Sequence, residues 1–138
     1  MALELNAYLH FGGNCRQAFE AYARVFRGTI EAMLTHADAP EGQQGAPESK
    51  DLIMHARLRV GDRVLMGSDA PVQMRQPMSG FSVTCGVPEP AEAERIFAAL
   101  AEGGTVHMPI QETFWAIRFG MVVDRFGVPW MVNCERPA

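Results

Sequence analysis

Two spacings of apolar residues run along the chain and divide it into elements. Alternation of apolar and polar side chains marks 5–11 as a strand. Gly12 and Gly13 turn the chain, and Asn14 is placed to cap a helix. Over 15–27, Ala18, Phe19, Tyr22, Val25 and Phe26 recur at helical spacing and gather on one face. Gly28 offers a left-handed stop, and 29–35 reads as a second strand. Residues 37–51, ADAPEGQQGAPESKD, carry no apolar period and read as surface loop. Strand-like arms at 52–60 and 63–68 flank Gly61 and Asp62 as a hairpin. Residues 69–79 read as a linker containing Pro71 and Pro77.

The pattern then begins again. Residues 80–87 alternate as a strand, and Pro90 opens a helix at the first position, where proline is tolerated. Ala93, Ile96, Phe97 and Leu100 form its core face, and Gly103-Gly104 stops it. Residues 105–111 form a strand, and 117–123 with 128–134 make a last hairpin around 124–127. The order strand, helix, strand, strand, strand thus occurs twice within one domain spanning 1–138: module one at 1–72 and module two at 78–138. Both helices end in a Gly-Thr step, at 28–29 and 104–105. A run of three strands after each strand–helix start leaves helices on one side of each sheet. The expected class is α+β rather than a doubly wound α/β fold, whose strands and helices alternate throughout.

Composition narrows the functional classes. A length of 138 residues suits one compact domain. The formal net charge is −4 and basic residues are scattered, which argues against a nucleic-acid partner. No apolar run is long enough to span a bilayer. Residues 1–15 lack the basic head and long apolar run of a secretory leader, so a cytoplasmic location and no membrane partner are expected. The three cysteines, Cys15, Cys85 and Cys134, are too widely spaced for a disulfide framework or a metal knuckle. Cys15 falls in a first helical turn, where the dipole favours a thiolate. No His or Asp follows at helical spacing to act as its base, so it reads as a capping-region residue without a catalytic role.

Four stretches carry a resemblance: YLHFGGNCRQAFEAYARVF at 8–26, IMHARLRVGDRVLMGSD at 53–69, EAERIFAALAEGG at 92–104 and QETFWAIRFGMVVDRFGVPWMVN at 111–133. In order and spacing they resemble the vicinal-oxygen-chelate superfamily of glyoxalase I, bleomycin-resistance proteins and extradiol dioxygenases. More closely they resemble its PhnB-like branch, often labelled demethylubiquinone methyltransferase-like. The resemblance implies paired βαβββ modules forming a curved mixed sheet around a concave site, in a homodimer. Chelating relatives place His, Gln or Glu metal ligands on the first and last strands of each module. By position these sites fall near Ala7, near Leu65 or Met66, near Phe81 or Ser82, and near Met131. None of these windows supplies a strong ligand, so the resemblance implies the fold without the four-ligand metal centre.

Other residues remain candidates for chemistry. His10 and His55 lie on the first and third strands, and either can face a ligand. Glu112 lies where a strand meets a turn, near Phe114, Trp115 and Arg118. A carboxylate beside aromatic rings can serve as a base, and Arg118 can hold a ligand carboxylate or phosphate. Trp130 offers a broad apolar wall with one N–H donor, either in the core or lining a pocket. Asp124 and Gly127 read as a structural turn. The expected function is binding of a small organic molecule in a concave pocket, with Trp115, Arg118, Trp130, His10 and His55 as contacts and Glu112 as the candidate catalytic group. No cofactor is expected. The alternatives are a metal-dependent isomerase, lyase or dioxygenase, with a divalent ion on His10, His55, Asp69 and Glu112, and a non-catalytic sequestration protein. Methyltransferase chemistry is disfavoured, because no glycine-rich loop joins a strand to a helix.

Overall fold

The computed structural model describes residues 2–137; Met1 and Ala138, the outer ends of the two expected modules, lie outside the described residues. The chain divides into two compact units, Met1–Gln76 and Pro77–Ala138.

Unit one contains β1 (Tyr8–Phe11), α1 (Cys15–Phe26), β2 (Thr29–Thr35), β3 (Ile53–Val60) and β4 (Arg63–Asp69). Unit two contains β5 (Val83–Gly86), α2 (Pro90–Ala101), β6 (Thr105–Gln111), β7 (Ala116–Val123) and β8 (Pro129–Glu135). Each unit holds one mixed four-stranded sheet, ordered β1-β4-β3-β2 and β5-β8-β7-β6. The expected paired βαβββ modules are present, each contributing a mixed four-stranded sheet of identical topology. In each, the short first strand runs parallel to the fourth, and the other pairings are antiparallel. The first strands are shorter than the alternation implied. Residues 5–7 and 80–82 lie outside β1 and β5.

The units build their cores alike. In unit one, α1 buries Ala18, Phe19 and Tyr22 against the sheet, with Val25 and Phe26 half-buried. Leu9, Phe11, Ala56 and Leu58 meet it from the strands. Phe11 and Phe19 pack edge to face at 6.0 Å. In unit two, Ala93, Ile96, Phe97 and Leu100 of α2 are buried with Val122, Trp130 and Val132, as the helical spacing implied. Gly120 lets the Phe97 ring lie directly on β7, since a Cβ there would come within 2.5 Å of the ring.

Two helix-end expectations are corrected. Asn14 makes no side-chain cap. Instead Asp69, at the end of β4, accepts the backbone N–H groups of Gly13 at 2.9 Å and Cys15 at 3.0 Å. Its other oxygen accepts the N–H of Ile53 at 2.8 Å. Buried Asp69 therefore ties β1, α1, β3 and β4 together. At the other end of α1 the left-handed residue is Arg27, at φ 54°, rather than Gly28. Gly28 is required for a different reason: a Cβ there would stand 2.6 Å from the Arg59 carbonyl oxygen.

The 37–51 segment holds two short 3-10 turns, His36–Asp38 and Pro47–Ser49. No helix among the described residues is long and apolar enough to cross a membrane.

Candidate functional site

Strand alternation decides which side chains each unit leaves open. On β1, Leu9 and Phe11 are buried on the helix side, so Tyr8 and His10 stand on the helix-free side. Gly67 packs under Phe19 and pairs with Ala56, which fixes the helix side of β3 and β4. His55, Arg57, Met66 and Ser68 are therefore on the open side with Tyr8 and His10. Tyr8 and His55 share a hydrogen bond of 3.1 Å between the hydroxyl and Nδ1, and their rings stack at 5.8 Å. The Tyr8 and His10 rings lie 5.3 Å apart. Arg57 donates to Met66 Sδ at 3.8 Å and to Glu31 at 2.9 Å. The fold thus brings His10 and His55 together through Tyr8, which sequence reading missed as a site residue. Tyr8 falls two residues before His10, and that spacing on a strand was the available signal.

Unit two has a different open face. Gly120, Val122, Trp130 and Val132 are on the helix side, which leaves Phe119, Met121, Met131 and Asn133 on the other. Register sets out two rows across the sheet. One runs Gln111, Phe119, Asn133, Gly86; the next runs Met108, Met121, Met131, Thr84. No side chain in either row is charged. Thr84 donates its hydroxyl to Met131 Sδ at 3.8 Å. Trp115, 45% exposed, packs edge to face on Phe119 at 5.3 Å, and Phe114 packs on Trp115 at 4.8 Å.

The expected grouping of Glu112, Trp115 and Arg118 does not form. Arg118 pairs across the strands with buried Cys134, on the helix side, and donates to Glu94 of α2 at 2.8 Å. Glu112 accepts from Arg136 at 2.8 Å. Only Trp115 joins the open face. A register shift between Ala116 and Arg118 makes these neighbours in sequence face differently. Trp130 takes the core alternative. It is 3% exposed, and its Nε1 donates to buried Asp124 at 2.8 Å. The other Asp124 oxygen accepts the N–H groups of Phe126 and Val128, and Gly127 sits at φ 93°, so 124–127 is the structural turn expected.

Cys15 is not a poised thiolate. Burial, then the nearby Asp69 carboxylate, push its thiol up to about 12, against the helix-end effect expected.

Register places the four strand positions where chelating relatives hold a metal. Tyr8 pairs with Met66, and Thr84 pairs with Met131. Phe81 and Ser82 precede β5, so the first-strand position of unit two is Thr84 instead. These positions hold a phenol, a hydroxyl and two thioethers, and thioethers are poor ligands for hard or borderline divalent ions. Asp69 is committed to three backbone N–H groups. Among the described residues, no group of three or more His, Cys, Asp or Glu is disposed to hold a metal ion. The residues do not fit the metal centre of chelating relatives.

Comparison with known proteins agrees with this architecture. The family model described as 3-demethylubiquinone-9 3-methyltransferase matches residues 4–133. The chain belongs to this family. The chain is 34% identical over 139 residues to protein YjdN of Escherichia coli (strain K12), covering 95% of each chain. Protein PA1353 of Pseudomonas aeruginosa is 52% identical, with TM-score 0.91, covering 99% of this chain and 100% of that one. A PhnB protein from Bacillus cereus, described as a putative 3-demethylubiquinone-9 3-methyltransferase, is 20% identical, with TM-score 0.78, over 96% of this chain and 100% of its own. Fosfomycin-resistance and glyoxylase/bleomycin-resistance proteins share the fold alone.

Proposed function

We propose that this PhnB-like protein binds a small organic molecule on the helix-free faces of its sheets, as a cytoplasmic homodimer. The Tyr8, His10 and His55 group carries the reading. Three rings with hydrogen-bonding edges stand together on a face that no helix of their unit covers. A phenol, two imidazoles and the Ser68 hydroxyl offer donors and acceptors, and Met66 offers apolar area beside them. Small-molecule sites combine these features. Fold relatives named for fosfomycin resistance and for glyoxylase/bleomycin resistance fit a reading in which the ligand is an organic molecule.

The form favoured is binding without a reaction. Glu112, the candidate catalytic group, and Arg118, a candidate ligand contact, meet Arg136 and Glu94. The alternative, a metal-dependent isomerase, lyase or dioxygenase, needs a ligand set other than the four strand positions. Stoichiometric zinc, nickel, manganese or iron after chelation and reloading, lost on replacing His10 or His55, would establish it.

A thermal-shift screen of small organic molecules tests the binding reading. Stabilising compounds should perturb the NMR resonances of Tyr8, His10 or His55. His55→Ala should weaken their binding about tenfold, the loss of one or more hydrogen bonds, without lowering the melting temperature of the free protein. Equal binding by His55→Ala would remove the support that this group provides.

A further inference from the structure

Among the described residues, His, Cys, Asp and Glu form no group disposed to hold a metal, but thioethers stand together. Met108 of β6 pairs with Met121 of β7, and Met121 pairs with Met131 of β8. Residues directly opposite one another point to the same face of a sheet. The three side chains therefore form one continuous row on the helix-free face of the second sheet, on adjacent strands about 5 Å apart. Each is half-buried.

An apolar face alone does not call for methionine. The other side of the same strands is apolar too, and it is built from Val122, Trp130 and Val132, of the β-branched and aromatic types that suit strands. What the open row has in common is sulfur. A methionine side chain turns about three bonds, so the outer two sulfurs can lean over Met121 and meet at one point. Thr84, the fourth residue of the row, donates its hydroxyl to Met131 Sδ at 3.8 Å. That contact holds the sulfur on the open face and occupies only one of its two lone pairs.

Three convergent thioethers select a soft ion. Neutral thioethers suit Cu(I), and without a thiolate, imidazole or carboxylate they hold divalent ions poorly. The local charge admits a cation. No basic side chain stands in this row or in the next, which runs Gln111, Phe119, Asn133, Gly86. The one charged residue that alternation places on this face of β7 and β8 is Glu135, an anion.

We propose that Met108, Met121 and Met131 form a three-thioether site for a soft monovalent metal ion of the Cu(I) class, with Thr84 as a positioning residue for Met131. Met108 and Met121 lie outside the strand positions where chelating relatives hold a metal, so the site differs from that centre in place as well as in chemistry. It goes beyond the organic-ligand reading, which rests on Tyr8, His10 and His55 of the first sheet.

The test adds Ag(I), a diamagnetic ion of the same class, to the full chain labelled with ¹³C at the methionine methyls. One equivalent should shift the Met108, Met121 and Met131 methyls together and leave that of exposed Met74 in place. Cu(I) in oxygen-free reducing buffer should reproduce the pattern, and Zn(II) should not. Met121→Leu keeps the volume and apolarity of the face. It should weaken Ag(I) binding at least about tenfold, the lower end of the loss seen for residues that only support a metal ligand. Replacing all three methionines by leucine should abolish binding, and Thr84→Val should weaken it less than Met121→Leu does. Cys85→Ala removes the one cysteine that is not fully buried and should leave binding unchanged. Should the triple variant fail to fold, Met121→Leu and the methyl shifts of the unaltered protein still decide.

Absence of saturable shifts, a Met74 shift in step with the row, or equal binding by Met121→Leu overturns the site. Loss of binding in Cys85→Ala assigns the ion to the thiol and overturns it too. Equal affinity for Zn(II) overturns the soft-ion assignment. Each of these outcomes leaves organic-molecule binding around Tyr8 and His55 standing, and failure of that binding leaves the Ag(I) result unchanged.

Discussion

Trp130 and Asp124 show how one hydrogen bond separates a core residue from a ligand contact. An indole near the C-terminus invites a functional reading. Its N–H, however, ends on a buried carboxylate that also holds the 124–127 turn. Trp130→Ala should destabilise the protein by about 3–5 kcal/mol, the usual cost of deleting a large core aromatic. Trp130→Phe keeps most of the area but leaves that oxygen without its indole donor, and should cost about 1–3 kcal/mol. Urea denaturation measures both. Fluorescence adds an internal control, since Trp115 is half-exposed: the emission of Trp130→Phe should be red-shifted and readily quenched by acrylamide. If Trp130→Ala kept wild-type stability, the core assignment would be wrong.

At the scale of elements, the two Gly-Thr steps have a common physical cause. Each glycine immediately precedes the strand after its helix, where a carbonyl of the partner strand approaches closely: Arg59 at Gly28 and Val123 at Gly104. Residues 27 and 103, just before, take the left-handed turn that ends the helices. Module two uses Gly103 there, whereas module one uses exposed Arg27, which bears the strain of a side chain in that region. Arg27→Gly should therefore stabilise the protein by about 0.5–1 kcal/mol, after the entropic cost of glycine. Gly28→Ala should destabilise it by about 1–3 kcal/mol, because backbone must move to admit the methyl group. Thermal melts of the two variants should shift in opposite directions. A rise in stability for Gly28→Ala would show that the close approach is not needed.

For the whole molecule, the prediction concerns assembly. Each four-stranded sheet ends in two edge strands, and exposed edges favour pairing or protection. β6 carries Pro109, a residue that blunts one edge. The first strands, β1 and β5, are short edges without such a device. Together with the resemblance to dimeric relatives, this leads us to expect a homodimer with two-fold symmetry. Light scattering over a concentration series should give twice the mass of one chain. A monomer at the highest concentration would refute it.

Local patterns in the sequence were enough to determine the elements and their repeated order. Helix α2, strand β6, and the turn at 124–127 follow from spacing, proline and glycine placement, because those rules act over a few residues. The family was legible for the same reason, in motifs that keep their order. The helix caps and the site were not. Asp69 closes the start of α1 from more than fifty residues away, a contact that no local rule ranks above Asn14. Glu112, Trp115 and Arg118 look like a cluster in sequence, but a register shift sends their side chains to different partners. Tyr8 and His55 meet only because β1 inserts beside β4. Period-two alternation says which residues share a face of one strand, but strand order and register, set by long-range pairing, decide which faces combine.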